Sequence, residues 1–489
     1  MRKLQELVQK LSGAVVKGNT ERLVSGIFYD SRQVKPEGIF VCITGFRTDG
    51  HNFIRDALMR GASVIVAERD VEVPVGVTLI VVPDTRLALA TLACAFYDYP
   101  AGKLNLIGVT GTNGKTSFTY LTRAIFRKKG AKVGLVGTIA NLIDDRAIPS
   151  HHTTPEASDL QELFSLMAHE GVSHAVMEVS SHALELNRVA GTEFDVAVFT
   201  NLTQDHLDFH PDMHSYLEAK AKLFRSLGPG SKERSKYAVL NLDDPNSAYL
   251  AGQTQVSVVS YGLTAGAMYR ARDIEIRMDG TAYTLDYPHG SFRLNLQLAG
   301  KFSVYNSLAA CAVGLEEGLE PQLVQEALEE MEGVPGRFQL VNCGQDFAVV
   351  VDYAHTPDSL ENVLKTARQV TAGRVITVFG CGGDRDRSKR PIMGEKAGEL
   401  SDYCIITSDN PRSEEPRAII ADIEPGVIRA QGKYQVVVDR REAIAAAISL
   451  ARPGDVIVIA GKGHESYQII GDNVLPFDDV AVAREILTK

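Results

Sequence analysis

Short runs of apolar residues alternate with longer amphipathic segments along most of the chain. Runs such as SVIVAE, LIGVT, AVVVDYA and DVIVIAG have the length and composition of buried strands. After LIGVT, Phe118, Leu121 and Ile125 recur at helical spacing, and helical patterns return at 357–370 and 441–451. Strands that alternate with helices predict an α/β fold with a mostly parallel sheet, since parallel strands need crossover connections.

The pattern falls into three units, which we predict to be domains of residues 1–100, 101–335 and 336–489. The first is a small α/β unit that ends in YPAGKLN, whose Pro, Gly and polar residues are typical of a linker. The second is a central unit with the mostly parallel sheet. The third repeats the alternation in a Rossmann-like pattern.

Composition and charge narrow the functional classes. The 489 residues are 45% hydrophobic and 23% charged, which is ordinary for a multidomain globular protein. A formal net charge of -10 argues against general attraction to nucleic acid. Six cysteines form no C-x-x-C pair, which argues against a zinc cluster and fits a reducing cytoplasm. The N-terminus, MRKLQELVQKLSG, predicts an amphipathic helix rather than a signal peptide, and no apolar run is long enough to insert into a membrane.

The stretch GVTGTNGKTS, at 108–117, lies between a predicted strand and a predicted helix. Backbone N–H groups of such a glycine-rich loop bind phosphate oxygens, and the helix N-terminus adds partial positive charge. Lys115 is placed to reach the outer phosphates, and the Thr116 hydroxyl to bind magnesium. The match to the common motif is imperfect, because Val109 stands where the first glycine belongs. The loop alone fits an ATPase or a kinase equally well.

A second polar cluster follows in the central unit. Glu178 ends the strand pattern HAVME, where a carboxylate near a phosphate loop is a candidate magnesium ligand. His206 belongs to the His- and Asp-rich stretch TNLTQDHLDFH, whose spacing matches no zinc motif, so magnesium with a nucleotide fits better. Lys220 and Lys222 lie on different faces of the helix YLEAKAKLF, and the pattern assigns neither a role.

Two polar loops follow strands of the third unit. TSDNPRSE, at 407–414, contains a turn signal together with Asp409 and Arg412, at the strand end where open α/β sheets bind ligands. GCGGDRDRSKRP, at 380–391, has the glycines and charges of an anion-binding loop, but it fits a solvated charged loop as well.

The motifs TGTNGKT, EVSSHAL, TNLTQDHLDFH, YLEAKAKLF, DYAHTPDSL and AGKGHE occur in one order along the chain. Together with the two polar loops, they resemble the Mur ligase family, and the resemblance spans essentially the whole chain. These ATP-dependent enzymes add amino acids to the UDP-N-acetylmuramoyl peptide precursor of peptidoglycan. The resemblance implies an N-terminal UDP-binding α/β domain, a central ATPase domain of the phosphate-loop type and a C-terminal Rossmann-like domain that binds the amino acid.

The activity that the resemblance implies is ADP-forming amide ligation. ATP phosphorylates the acceptor carboxylate, and the amine of the incoming amino acid attacks the acyl phosphate. We expect UDP-MurNAc-L-Ala-D-Glu and meso-diaminopimelate as substrates, ATP and Mg²⁺ as cofactors, and a cytoplasmic monomer without nucleic-acid or membrane partners. A lysine-adding member of the family and a ligase similar to folylpolyglutamate synthase are the alternatives. The DNPR stretch argues against lysine, which lacks the second carboxylate.

The resemblance also assigns roles to residues of the central domain and to two residues, Arg337 and Asp352, near the start of the C-terminal domain. The implied catalytic residues are Lys115, His206, Lys220 and Arg337. The implied ATP-binding residues are Thr110, Gly111, Thr112, Asn113, Gly114, Lys115, Thr116, Asn306, Arg337 and Asp352. The implied metal-binding residues are Thr116, Glu178, His206 and Lys220. Lys220 matches a lysine that the family carries in carbamylated form, which converts a cation into an anionic ligand.

The two remaining substrates are assigned in the same way. The implied acceptor-binding residues are Ser31, Phe46, Arg47, Thr48, Thr153, Thr154, Ser180 and Arg188. The implied diaminopimelate-binding residues are Arg385, Asp409, Asn410, Pro411, Arg412, Gly461 and Glu465. The chain departs from many relatives at Leu186, where they carry Gln, so a contact to the acceptor is either lost or supplied by Asn187.

Overall fold

The computed structural model describes residues 1–46, 48–150 and 152–489. In the N-terminal domain, a mainly parallel sheet has the strand order β2-β7-β6-β5-β4, and only β2 is antiparallel to its neighbour. The strands are β1 (Arg2–Lys3), β2 (Val15–Lys17), β3 (Leu23–Val24), β4 (Ile27–Phe28), β5 (Gly38–Val41), β6 (Ala62–Ala67) and β7 (Thr78–Val81). The helices are α1 (Leu4–Val8), α2 (Ile54–Met59) and α3 (Thr85–Phe96). Every residue of β6 is buried, as its apolar run predicts.

The central domain is built on one long sheet with the order β11-β10-β9-β12-β8-β13-β14-β15-β16-β17-β18. Its strands are β8 (Asn105–Thr110), β9 (Val133–Val136), β10 (Asn141–Ile143), β11 (Arg146–Ile148), β12 (His174–Glu178), β13 (Val196–Phe199), β14 (Tyr237–Asn241), β15 (Ser257–Gly262), β16 (Tyr269–Arg277), β17 (Gly280–Tyr287) and β18 (Gly290–Leu296). Its helices are α4 (Lys115–Lys128), α5 (Ala157–His169), α6 (Ser181–Glu185), α7 (Met213–Arg225), α8 (Ser247–Ala251), α9 (Lys301–Glu316) and α10 (Pro321–Glu329).

The middle of this sheet is parallel, and both of its edges are antiparallel. Strands β9, β12, β8, β13, β14, β15 and β16 are parallel to one another, whereas β10 and β11 at one edge and β17 and β18 at the other are paired antiparallel. Helices α4 and α9 cover one face through residues such as Phe118 and Leu308, and α5 and α7 cover the other through Phe164 and Leu223. The carboxyl ends of β8 and β12 are adjacent, so the loops after Thr110 and Glu178 lie side by side.

The C-terminal domain has the Rossmann-like arrangement that its alternating pattern predicts. Its sheet order is β19-β20-β24-β21-β22-β23, parallel except for β19. The strands are β19 (Gln339–Leu340), β20 (Ala348–Asp352), β21 (Val375–Phe379), β22 (Tyr403–Ile406), β23 (Tyr434–Val436), β24 (Val456–Ala460), β25 (Tyr467–Ile470) and β26 (Asn473–Pro476). The helices are α11 (Pro357–Val370), α12 (Lys389–Leu400), α13 (Pro416–Arg429), α14 (Arg440–Leu450) and α15 (Asp479–Leu487). The α/β fold class with three domains is confirmed, while the domain boundaries at 100 and 335 stay predictions.

Two local predictions differ from the structure. The amphipathic pattern of the N-terminus yields only the short helix α1, which begins at Leu4 because Arg2 and Lys3 pair with Val24 and Leu23, and which ends at Val8. The predicted linker 99–105 contains a short 3₁₀ helix whose side chains at Pro100 and Ala101 are buried. Across the described part of the chain, no helix is both long and apolar enough to cross a membrane.

Candidate active site

The phosphate loop joins β8 to α4. Thr110 ends the buried strand, and Lys115 begins the helix. Gly114 has a φ of +90°, in the left-handed region, and a Cβ at this position would collide with the side-chain oxygen of Asn306. A glycine is therefore required here by both backbone and packing. The loop presents its backbone at the start of a fourteen-residue helix, as an anion site needs.

The side chain of Lys115 folds over the loop. Its Nζ donates hydrogen bonds to the carbonyls of Gly111 at 2.9 Å and Thr112 at 2.8 Å. Removal from water lowers the pKa of Lys115, and the charges of Glu178 and Asp205 oppose that shift. The ammonium thus lies at the mouth of the loop, between the backbone and two carboxylates.

A chain of hydrogen bonds runs from Arg337 through the end of β12. Arg337 Nη2 donates to Thr116 Oγ1 at 3.0 Å, and that hydroxyl donates to Glu178 Oε1 at 3.0 Å. Thr138 donates to Glu178 from its backbone N–H at 2.9 Å and from its hydroxyl at 3.1 Å. The Thr138 hydroxyl lies 3.0 Å from that of Thr153. The carboxylate of Glu178, which is 1% exposed, is thereby held in place by hydrogen bonds from Thr116 and Thr138.

The two other predicted metal residues flank Tyr216. Lys220 is 1% exposed, and its Nζ lies 4.1 Å from the centre of the Tyr216 ring. Burial and the nearby Lys115 ammonium hold the pKa of Lys220 well below its usual range. The His206 ring meets the Tyr216 ring edge to face at 6.0 Å, and its Nε2 lies 3.4 Å from Asp205 Oδ2. Removal from water lowers the pKa of His206, while Asp205 opposes the shift.

The residues present fit Mg²⁺ better than a transition metal. Within the described ranges, no three His, Cys, Asp or Glu side chains converge as a metal cluster. Mg²⁺ is usually held by one or two carboxylates together with water and substrate phosphates, so a dense cluster is not required. The Thr116 hydroxyl and the buried Glu178 carboxylate supply hard oxygen donors beside the phosphate loop.

A cavity of about 320 Å³ lies between the phosphate loop and α11. Of the predicted ATP-binding residues, those that line it are Asn113, Gly114, Thr116, Asn306, Arg337 and Asp352. Thr110, Gly111, Thr112 and Lys115 form the loop behind it. Asn113 Nδ2 donates to Asp358 Oδ2 at 2.7 Å, which ties the loop to the C-terminal domain. Burial raises the pKa of Asp352, whose Oδ2 accepts from the backbone of Phe338 at 2.7 Å.

A second, larger cleft of about 890 Å³ is lined by all three domains. Phe46 comes from the N-terminal domain, Thr153 and His206 from the central domain, and Arg385 and Glu465 from the C-terminal domain. The cleft therefore places the predicted acceptor, metal and amino-acid residues around one space.

The predicted acceptor residues divide into two groups. Phe46, which is 75% exposed, and Thr153 line the central cleft. Ser31, Thr48, Thr154, Ser180 and Arg188 lie outside the cleft wall as the described residues define it. Arg47 lies outside the described residues.

The second acceptor group is held together near α6. Arg188 donates to the Thr154 carbonyl at 3.0 Å and pairs with Glu156 at 2.8 Å. Ser180 caps α6 and lies 3.3 Å from the Thr154 hydroxyl. Asn187 donates to Asp84 Oδ2 at 3.2 Å, so its amide contacts the N-terminal domain.

The predicted amino-acid residues meet at the carboxyl ends of β21, β22 and β24. Arg385, Asp409, Asn410, Arg412, Gly461 and Glu465 all line the central cleft. Arg412 Nη1 donates to the Gly383 carbonyl at 2.7 Å, and its charge adds to the desolvation that lowers the pKa of Arg385. Pro411 turns the chain beside Gly383. Gly461 has a φ of +119°, and a Cβ there would lie 2.6 Å from Asp409 Oδ2.

Sequence reasoning missed several residues of the cleft. Asp205 and Lys389 line it, and their charges face His355, whose pKa is lowered to about 4 by burial and by Lys389. Tyr353 also lines the cleft and stacks under the Arg337 guanidinium at 4.7 Å. Lys389 stands in the charged loop 380–391, and Tyr353 stands in DYAH, so their motifs were visible although their placement was not.

Three family models match the chain. The Mur ligase family catalytic domain matches residues 23–97, the Mur ligase middle domain matches 109–314, and the Mur ligase glutamate ligase domain matches 336–463. A protein of Syntrophomonas wolfei named UDP-N-acetylmuramoyl-L-alanyl-D-glutamate--2,6-diaminopimelate ligase is 50% identical over 486 residues, 99% of each chain. A protein of the same name from Geobacillus thermodenitrificans is 51% identical over 483 residues, 99% of this chain and 98% of that one.

Solved structures give the same result. A structure of an enzyme with that name superposes with a TM-score of 0.70 at 34% identity, covering 100% of this chain and 99% of that one. Folylpolyglutamate synthase of Mycobacterium tuberculosis has a TM-score of 0.65 at 18% identity over 83% of this chain and 95% of its own, which is a likeness of fold alone. With about half of its residues identical to those relatives over nearly its whole length, the chain belongs to the Mur ligase family.

Proposed function

We propose that this protein is an ATP-dependent, ADP-forming ligase that adds meso-diaminopimelate to UDP-MurNAc-L-Ala-D-Glu in the cytoplasm. One observation carries the proposal. Glu178 accepts a hydrogen bond from Thr116, which lines the cavity of about 320 Å³ beside the phosphate loop. It also accepts one from Thr138, which lines the three-domain cleft. A phosphoryl group can therefore pass from a nucleotide in the first space to an acceptor in the second.

The first chemical step brings two anions together. An oxygen of the acceptor carboxylate attacks the γ-phosphorus, the bond to the bridging oxygen breaks, and ADP leaves. Lys115 and Arg337 are the cations beside this point, and their fixed charges stabilise the charge that develops there. Mg²⁺, when bound at Thr116 and Glu178, would neutralise phosphate charge during transfer.

The second step joins the amino acid to the acceptor. Its amine attacks the acyl carbon, phosphate leaves from the tetrahedral intermediate, and the amine loses a proton. The amino acid is delivered from the C-terminal domain, where Arg385 and Arg412 form a cationic wall and Asp409 and Glu465 an acidic one. Diaminopimelate carries a carboxylate and an ammonium at its far end, so both walls have a partner. Lysine has no carboxylate at its far end, so the two arginines would have no partner there.

Lys220 is proposed to carry a carbamate. A neutral amine reacts with CO₂: its nitrogen bonds to the carbon, one proton leaves, and an anion results. Burial and the Lys115 charge both favour the neutral amine of Lys220. No acidic side chain among the described residues lies within salt-bridge distance of Lys220 Nζ. This nitrogen lies over the face of the Tyr216 ring. A carbamate at this position would face the phosphate loop with negative charge and could contribute to metal binding.

The acceptor is proposed to lie across the N-terminal and central domains. Phe46 and Thr153 support this at the cleft, and the Thr154–Ser180–Arg188 group extends the polar surface beside α6. Ser31 opens a 3₁₀ helix, Ser31–Gln33, in the N-terminal domain, and Thr48 lies two positions after Phe46 in the sequence. These residues would receive the uridine end.

The test is phosphate release from ATP with UDP-MurNAc-L-Ala-D-Glu and different amino acids. We expect turnover with meso-diaminopimelate, and a much lower kcat/KM with L-lysine. Mass spectrometry should show the acceptor extended by one amide-linked diaminopimelate. Better turnover with lysine would refute the proposed preference for diaminopimelate. Phosphate release that requires a folate substrate and glutamate would refute the proposed UDP-MurNAc-L-Ala-D-Glu acceptor.

A further inference from the structure

A lysine lies buried directly under the amino-acid site, and the chemistry above does not use it. Lys462 follows β24 between two glycines, and its side chain is 0% exposed. Burying an ammonium is costly unless it is paired and hydrogen-bonded. Its Nζ donates to Asn410 Oδ1 at 3.0 Å and to Glu465 Oε2 at 3.3 Å.

These three side chains close a triangle. Asn410 Nδ2 donates to the same oxygen, Glu465 Oε2, at 2.8 Å. Asn410 Oδ1 also accepts from the backbone N–H of Ile469 at 2.9 Å, so two donors on one side and an acceptor on the other fix the amide orientation. Among the described residues, none donates to Glu465 Oε1 in a hydrogen bond, and Glu465 lines the cleft.

The charges around Glu465 compete. Burial and the neighbouring Asp409 raise the pKa of Glu465, and Lys462 opposes both. In the described part of the chain, the titratable and charged groups around it are Asp409, Lys462, Arg440, Tyr353 and Tyr467, and Arg385 and Arg412 line the same cleft. Arg440 forms an ion pair with Asp479 rather than with Glu465, through two hydrogen bonds of 2.8 and 2.7 Å. Among the described residues, Lys462 is thus the cation that donates a hydrogen bond to Glu465.

We infer that Lys462 is the positioning residue of the amino-acid site: it fixes Oε2 of Glu465 and keeps this carboxylate charged, so that Oε1 is free to bind the ammonium group of a diamino acid. This inference rests on the proposed function and adds to it. Lys462 does not contact the substrate. It acts through Glu465, whose Oε2 it holds by a hydrogen bond.

The test compares Lys462→Met with wild type. We expect the KM for meso-diaminopimelate to rise by about 10- to 100-fold at pH 7, the range of one lost charged hydrogen bond, while the KM for ATP stays the same. Without Lys462 the pKa of Glu465 rises further, so less of the carboxylate is charged at pH 7. The ratio of the KM of Lys462→Met to that of wild type should therefore fall as the pH is raised to about 8.5. Lys396→Met, a partly exposed lysine of α12, is the matched control and should leave this KM unchanged.

A double variant separates positioning from mere packing. If Lys462 acts through Glu465, then Lys462→Met in a Glu465→Gln background should raise the KM by less than about twofold. A full additional increase there, or an increase that does not depend on pH, would refute the inference. Lys462→Gln, which keeps a polar end without the charge, provides the same comparisons if thermal unfolding shows that the Met variant does not fold.

Failure of this inference can be told apart from failure of the proposed function. If wild type releases no phosphate with meso-diaminopimelate, the proposed function is wrong and the inference falls with it. If wild type is active and Lys462→Met keeps the wild-type KM at every pH, only the role of Lys462 is wrong.

Discussion

The Arg337 guanidinium donates a hydrogen bond to the hydroxyl of Thr116 at 3.0 Å, across a sequence separation of 221 residues. The same guanidinium lies 4.7 Å from the ring centre of Tyr353. The first turn of the phosphate-loop helix is therefore bound to the C-terminal domain by a single planar cation. A planar side chain that both stacks and donates cannot be replaced by lysine without loss of one contact.

Replacement of Arg337 tests this contact. Arg337→Met should lower kcat by about 100- to 1000-fold, the usual loss when one donor to developing negative charge is removed. Arg337→Lys should recover only part of that loss, because the stacking on Tyr353 is not restored. Steady-state phosphate release at saturating substrate concentrations measures kcat. The control is Arg368→Met, which replaces a partly exposed arginine of α11 in the C-terminal domain and should keep the wild-type kcat. A kcat near that of wild type in Arg337→Met would contradict the role.

Lys220 and Lys222 offer a matched pair on α7. Lys220 is buried, whereas Lys222 is partly exposed and pairs with Glu185 at 2.7 Å. Lys220→Ala should lose most of its turnover and recover part of it when a short carboxylate such as acetate is added, because the acid can occupy the place of the carbamate. Lys222→Ala should remain close to wild type and show no response to acetate. Wild-type turnover in Lys220→Ala would remove the carbamate from the mechanism.

How far the sequence could predict this site depends on the kind of contact. The loop at Lys115 and Thr116 is a local strand–turn–helix unit, so its motif predicted its shape. The meeting of Thr116 with Arg337 could not be read from spacing, because it depends on how two domains pack. The triangle of Lys462, Asn410 and Glu465 could not be read from spacing either, because it joins loops that follow two different strands of the C-terminal domain.

The fold shows the same limit. The run at β24 is apolar over its whole length and that at β6 is apolar except for Ser63, and the structure places both inside sheets. Strands β16, β17 and β18, which the apolar runs do not predict, extend the central sheet; β16 and β18 are largely exposed or half-exposed, whereas β17 is buried from Gly280 to Tyr283. Such edge strands take their identity from the neighbours they pair with rather than from their own composition.

Arg412 is predicted to set the preference between diaminopimelate and lysine. Its Nη1 is held by the Gly383 carbonyl, and Arg385 lies beside it, so a distal carboxylate would meet two cations. Arg412→Met should raise the KM for meso-diaminopimelate by about 10- to 100-fold, the range of a lost charge-assisted hydrogen bond. The rate with lysine should change far less, since lysine has no such carboxylate. Competition assays with both amino acids measure the ratio, and equal losses for the two would show that Arg412 acts only on the loop.

The last prediction concerns acid stability of the same loop. The buried Arg390 binds both oxygens of Glu414 at 2.7 and 2.9 Å and lowers the pKa of Glu414 to about 2. A carboxylate whose pKa is lowered on folding adds stability above its unfolded pKa of about 4.3, and this is lost as the pH falls through its folded pKa. Above about pH 5, Glu414→Gln should therefore unfold at a lower temperature than wild type.

This difference in melting temperature should shrink between about pH 4.5 and pH 2, because wild type loses the ionised Glu414 there and the variant has none to lose. Glu399→Gln, an exposed glutamate of α12, should match wild type throughout. Glu414 also accepts from the backbone of Asp384 at 2.6 Å, which joins the loop of Arg385 to that of Arg412. Glu414→Gln should consequently raise the KM for meso-diaminopimelate at neutral pH. A melting difference that is constant with pH would show that the Arg390–Glu414 pair does not hold the two loops together through its charge.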